Sequence, residues 1–237
     1  MESAPSSRFL LILNQHKLVY LPEVPDAPDF RAFGATVHKF FNDKRDELIR
    51  NTVDLWRRQG ERVTKAEVSR AIPKPKVTVV ALTNRESVAA FVRRYSKLVS
   101  LQFQLVDPNQ EIDGQETWRN LRAFKEQLAS EKTVVSHRSR EGLNKESATE
   151  QINDAASTGN QIVKLDGKDQ EGNDLKGNNE AFSISHPIDE IPDNDEELAN
   201  LMYSIYEGLK ENGIITEDVA AEDVSDQIAE VISILEE

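Results

Sequence analysis

Cysteine is absent from all 237 residues, which excludes a disulfide framework and any thiolate-bound metal. The absence fits a cytoplasmic protein without demanding one. Histidine is scarce. His16, His38, His137 and His186 are the four, and no two stand at H-x-H or H-x-x-x-H spacing, so no histidine-pair metal motif exists. No apolar run approaches the ~20 residues that a membrane-spanning helix needs. Met1 to Ser7 lacks a basic segment leading into an apolar one, so no signal peptide is expected. The chain also lacks G-x-S-x-G, G-x-x-x-x-G-K-[ST] and G-x-G-x-x-G, which removes the required residues of acyl-transfer, P-loop and Rossmann chemistry. Basic residues are nearly missing from the tail, where residues 187–237 hold one Lys/Arg against 16 Asp/Glu.

What is present is a soluble-type composition, 38% hydrophobic and 30% charged, with its charge sorted along the chain. The net charge is -13, yet residues 1–105 carry 18 Lys/Arg against 11 Asp/Glu. Residues 106–186 carry 10 against 15. A basic head and an acidic tail point to an anion-binding surface, together with a cationic partner or an internal cover for the tail.

The stretch from Asp29 to Leu82 organises the rest. It holds ten Lys/Arg between Lys44 and Lys76. Phe33, Val37, Phe40, Phe41, Leu48, Val53 and Trp56 recur at helical spacing and predict a long helix over about residues 30–59, capped by Asp29 and ended by Gly60. Thr64 and Glu67 form a capping box for a short helix through Ala71. Val77 to Leu82 is almost continuously apolar and reads as a strand buried on both faces.

Around this stretch, Arg8–Leu13 and Lys17–Leu21 read as a hairpin about Asn14-Gln15-His16. A helix from Thr83 or Asn84 through Tyr95 and a strand Val99–Val106 follow; strand, helix and strand here have the size of a βαβ unit, with an antiparallel return equally open. Gln115–Ser130 and Lys145–Ala156 read as helices and Thr133–Ser136 as a short strand. Gln161–Leu165 and Ala181–Ser185 read as two strands around a long loop, Asp166–Asn179. Two amphipathic helices, from Asp193 or Asn194 through Asn212 and from about Glu222 to Leu235, close the chain as an acidic hairpin. The expected fold is α/β or α+β, a mixed sheet flanked by helices. The expected organisation is a core domain over 1–190 and the acidic C-terminal hairpin over 191–237.

One local constellation suggests catalysis. Asp166-Gly167-Lys168 has the D-x-K form of a Mg²⁺-dependent nuclease, with Asp107 as the nearest earlier carboxylate. Turn chemistry in a solvated loop is the better reading of the same residues. No cofactor is expected. Arg45, Arg50, Arg57, Arg58, Arg62 and Lys65 are the candidate phosphate contacts, since cations along one helix can track a nucleic-acid backbone without reading bases. The competing reading is a solvated face on which Asp43, Asp46, Glu47, Asp54 and Glu61 pair locally. The acidic hairpin reads as a solubilising tail, a cover for the basic face, or a phosphate mimic directed at a protein partner.

The order of these segments resembles the RexA phage-exclusion family of lambda phage and bacterial proteins of similar layout from phage-defence loci. The residues that carry it are Arg8–Leu13, Lys17–Tyr20, Phe33–Phe41, Lys74-Pro75-Lys76, Leu165–Lys168, Gly172 with Asp174, Ser183–Pro187, and Met202-Tyr203 with Tyr206. The likeness runs over much of residues 8–210, without a diagnostic motif. Relative to that family the chain lacks an N-terminal portion and has a far more acidic tail. The resemblance implies a homodimeric, DNA-associating, non-enzymatic cytoplasmic sensor that acts through a partner in antiviral defence. No functional residue is carried over from it.

Overall fold

The structure is a computed structural model that describes residues 5–60, 62–107, 111–112, 115–156, 159–215 and 219–220. The fold is α+β. The chain forms two compact units, and both are discontinuous: residues 1–9 with 20–79, and residues 10–19 with 80–237. This division differs from one between 1–190 and 191–237.

Strands β1 (Ser7–Ile12) and β2 (Lys17–Pro22) form a two-stranded sheet. His16 closes the turn between them in the left-handed region, at φ 49°. The first unit takes the open end of this hairpin and the second takes its tip. In the first unit, Phe9 and Tyr20 flank Phe33, with ring centroids 4.6 and 6.0 Å away, and Arg8 pairs with Glu23 at 2.6 Å. Helix α1 (Phe30–Arg58) starts where the Asp29 carboxylate accepts the Ala32 amide at 2.8 Å. Helix α2 (Lys65–Ala71) starts on the expected capping box, with Thr64 and Glu67 each satisfying the other's amide. Ile49 and Val53 of α1 pack against Val68, Val63 and Ile72.

The expected apolar stripe of α1 does not form one buried face. Only Ile49 and Val53 are buried, because α2 is narrow and covers one line of the helix. Phe40, Phe41, Leu48 and Trp56 remain about half exposed.

The second unit is built on a four-stranded sheet of order β5-β3-β6-β7, with β3 at Tyr95–Leu105, β5 at Val134–Arg138, β6 at Gln161–Asp169 and β7 at Asp174–Asn178. Every pairing in it is antiparallel, not mixed. In register, Leu101 faces Leu165 and Phe103 faces Val163, so one face is apolar. Helices α3 (Arg85–Arg93), α4 (Glu116–Gln127) and α5 (Lys145–Ala156) cover it with Val88, Phe91, Val92, Trp118, Ile152 and Ala155. The remaining strands, β4 (Glu111–Ile112) and β8 (Val219–Ala220), pair with each other.

Three expectations change here. Val77–Leu82 is extended but joins no sheet; it leads to a single bridge, Thr83 with Ser183, so no βαβ unit forms. Its apolar residues serve packing, Leu82 among them, which lies with Ile12, Ile184, Tyr206 and Ile215. The partner strand of β6 is β7, inside the segment read as a loop, and Ala181–Ser185 is not a strand. Asn179 explains the exchange. Its buried amide accepts the Val163 N–H at 2.7 Å and donates to the Gln161 carbonyl at 3.1 Å, replacing ladder bonds with side-chain ones. The tip is a tight turn held by Asp169, which accepts the Glu171 and Asn173 amides at 2.9 Å each. Finally, helix α6 (Asp195–Glu211), capped by Asn194, packs within the second unit through Tyr206 and Leu209. The second helix of the expected hairpin, about Glu222–Leu235, lies outside the described residues.

Candidate nucleic-acid interface

The six candidate cations do not share one environment. Arg45 leaves the solvent-facing set. Its side chain keeps 11% of its exposure, and its guanidinium is spent on backbone. Nε donates to the carbonyls of Ile72 and Pro73 at 3.0 Å each. Nη2 donates to the Ser69 carbonyl at 2.8 Å, the Ser69 hydroxyl at 3.1 Å and the Ile72 carbonyl at 2.7 Å. These are carbonyls at and beyond the last turn of α2, which a helix leaves without intrahelical donors. Arg45 is therefore the cap that fastens α2 to α1, and its bidentate fork suits that task.

Arg50, Arg57, Arg58, Arg62 and Lys65 are exposed. Among the described residues, none of the five makes an ion pair within 4.0 Å. Arg50 and Arg57 lie seven residues apart on one line of α1, about 10 Å along its axis. Arg58, Arg62 and Lys65 continue from the helix end through the Gly60 turn, where Gly60 takes φ 86°. Arg57 and Arg58 also sit in the last turn of α1, where cations complement the helix dipole. Arg70 is a further exposed cation, in the last turn of α2, outside the phosphate set expected from the sequence. Its signal was its place five residues beyond Lys65 on the same short helix.

The local acids are partly engaged. Glu47 accepts Lys44 Nζ at 2.9 Å. That hydrogen bond first, then the Lys44 charge and more weakly Arg50, hold its carboxyl below the ordinary glutamate range. Asp54 stands four residues from both Arg50 and Arg58 yet pairs with neither among the described residues. Charge sorting holds at the level of the units. The first carries 13 Lys/Arg against 10 Asp/Glu, the second 16 against 32.

The nuclease constellation is not assembled. Asp166-Gly167-Lys168 lies inside β6, with Asp166 opposite Ser100, while Gln161 pairs with Leu105 at the far end of β3. Asp107 lies two residues past that far end, so more than five strand residues, over roughly 17 Å, separate it from Asp166. Lys168 instead pairs with Asp174 at 2.8 Å, and Asp107 pairs with Lys125. Among the described residues no group of three His, Cys, Asp or Glu side chains could hold a metal ion. Among them, too, no helix is long and apolar enough to cross a membrane.

No protein-family model matches the chain, and no curated protein or solved structure matches it.

Proposed function

We propose that this chain is a non-enzymatic, cytoplasmic nucleic-acid-associating protein, of the kind that senses phage infection and acts through a partner. One observation carries it: five exposed cations without ion-pair partners among the described residues, on the net-positive unit of a chain whose net charge is -13. Arg50, Arg57, Arg58, Arg62 and Lys65 are the phosphate contacts. Duplex DNA is the ligand, bound without sequence preference, since the set offers point charges and forks but no array of base-reading side chains. The test is anisotropy of a labelled duplex titrated at rising salt. Five phosphate contacts set a slope of about -4.5 in log affinity against log salt, or roughly 500-fold weaker binding from 50 to 200 mM. No binding at low salt, or binding indifferent to salt, ends the proposal.

A second reading rests on the second unit's charge, 16 Lys/Arg against 32 Asp/Glu. In it the acidic C-terminal segment recruits a basic protein or imitates phosphates. Capture of a basic partner that depends on residues 191–237, with no DNA shift by the full chain, favours this reading over the first.

A further inference from the structure

The exposed apolar residues of α1 are spaced symmetrically. Phe40, Phe41, Leu48, Leu55 and Trp56 keep 54, 46, 53, 54 and 47% of their surface. Counted from Leu48, the others stand at -8, -7, +7 and +8. Steps of seven keep residues on one side of a helix, and the flanking aromatics widen the stripe at both ends. A two-fold interface needs this property, because residue i must meet j wherever j meets i. We propose that α1 pairs with α1 of a second copy of this chain, antiparallel and centred on Leu48.

In that arrangement Leu48 meets its own copy and Phe41 meets Leu55, while Phe40 and Trp56 of the copy stand at one level on the two edges of the stripe. The charged flank agrees in part. Lys44 comes within a turn of Asp54 of the second copy, whereas the two Glu47 carboxylates flank the two-fold axis, each also beside Asn51 of the other copy. Arg58 arrives within a turn of Phe40 of the copy, over which a cation suits the ring face; Lys44 already stands 6.0 Å from that ring in its own chain. The half-exposed side chains offer roughly 500 Å² per copy, about 1,000 Å² in all, the lower bound of a specific interface. Arg50 and Arg57 lie on the opposite side of α1, about half a turn away from the stripe. Pairing therefore leaves them to solvent, and it stands or falls independently of DNA binding.

The absence of cysteine makes the test direct. Light scattering of the full chain is expected to give twice its 26.8 kDa. Leu48→Asp places two carboxylates on the two-fold axis and should give a monomer with unchanged far-UV circular dichroism. Under mild oxidation Leu48→Cys should cross-link to itself. Phe41→Cys and Leu55→Cys should each stay uncross-linked alone but link to one another when mixed, since about 21 Å separates the two positions along a helix and a disulfide needs Cα atoms within ~7 Å. A monomeric parent chain overturns the proposal. So does a dimer that survives Leu48→Asp, or self-linking of Phe41→Cys and of Leu55→Cys, which marks a parallel pair.

Discussion

Replacing Arg45 with methionine separates an architectural arginine from the exposed ones. The substitution keeps most of the stem and removes every donor. Four acceptors lose their partner: the carbonyls of Ser69, Ile72 and Pro73 and the Ser69 hydroxyl. A hydrogen bond to a charged donor contributes about 1.5–3 kcal/mol where the acceptor cannot turn to water. Ser69 and Ile72 are half-buried and Pro73 is exposed, so water recovers part of the loss. The expected net cost is about 2–3 kcal/mol, far from the sum of the individual bonds. With a denaturant slope near 1 kcal/mol per M for a small unit, the urea midpoint of the first unit should fall by roughly 2 M. Exchange of the α2 amides should rise in step. Arg45→Lys should recover little, because a point-charge ammonium cannot reproduce the fork. Arg58→Ala, run alongside, should change stability by less than about 0.5 kcal/mol. If Arg45→Met leaves the midpoint and α2 exchange intact, yet weakens DNA binding as much as Arg58→Ala, then its assignment as a cap is wrong.

Arg58→Ala should make the salt dependence of DNA binding shallower by about one unit, the mark of one lost phosphate contact; an unchanged slope removes Arg58 from the interface. Gly167→Ala should destabilise the second unit by about 2–3 kcal/mol in urea unfolding, because a Cβ there would stand 2.2 Å from the Lys97 carbonyl and 2.8 Å from the Tyr95 ring. Gly177→Ala, whose Cβ would stand 2.3 Å from the Phe91 ring, should cost less, since a side chain yields more readily than backbone. Asp169 sets a pH dependence. Desolvation pushes its carboxyl up, but the amides of Asn173 and Glu171 outweigh it and hold the value below the ordinary aspartate range. Its contribution is therefore present above that range and lost as pH falls through the folded value. Protection of the Glu171 and Asn173 amides should drop on acidification, and Asp169→Ala should remove that drop.

Much of the architecture was legible because it rests on local rules. Asp29, Thr64, Asn84 and Asn194 accept the amides that start their helices, as short polar residues at such positions do. Lys145–Ala156 has the bounds that its periodicity sets. The failures are all non-local. Nothing near Val77–Leu82 says that it stays outside the sheet, and nothing in Asp174–Asn178 says that a polar, glycine-bearing segment finds a ladder on β6. Asn179 replaces that ladder beyond β7 with contacts 16 and 18 residues away, which period and propensity do not carry. At the candidate interface, the exposed arginines were legible from composition, but the diversion of Arg45 to carbonyls 24 to 28 residues downstream was not.

The small apolar cluster beneath the hairpin tip joins Leu10, Ile12 and Val19 to Tyr206, Leu209 and Ile215. On a ribosome the first of these leave the exit tunnel long before the last are made. Residues 20–79 are complete while the tip still has no counterpart, so the first unit can reach its native form early. In the second, the core of the sheet and helices α3, α4 and α5 needs nothing beyond Phe182, and only this cluster waits for the later residues. Until then Leu10, Ile12 and Val19 lack the apolar partners that Tyr206, Leu209 and Ile215 supply.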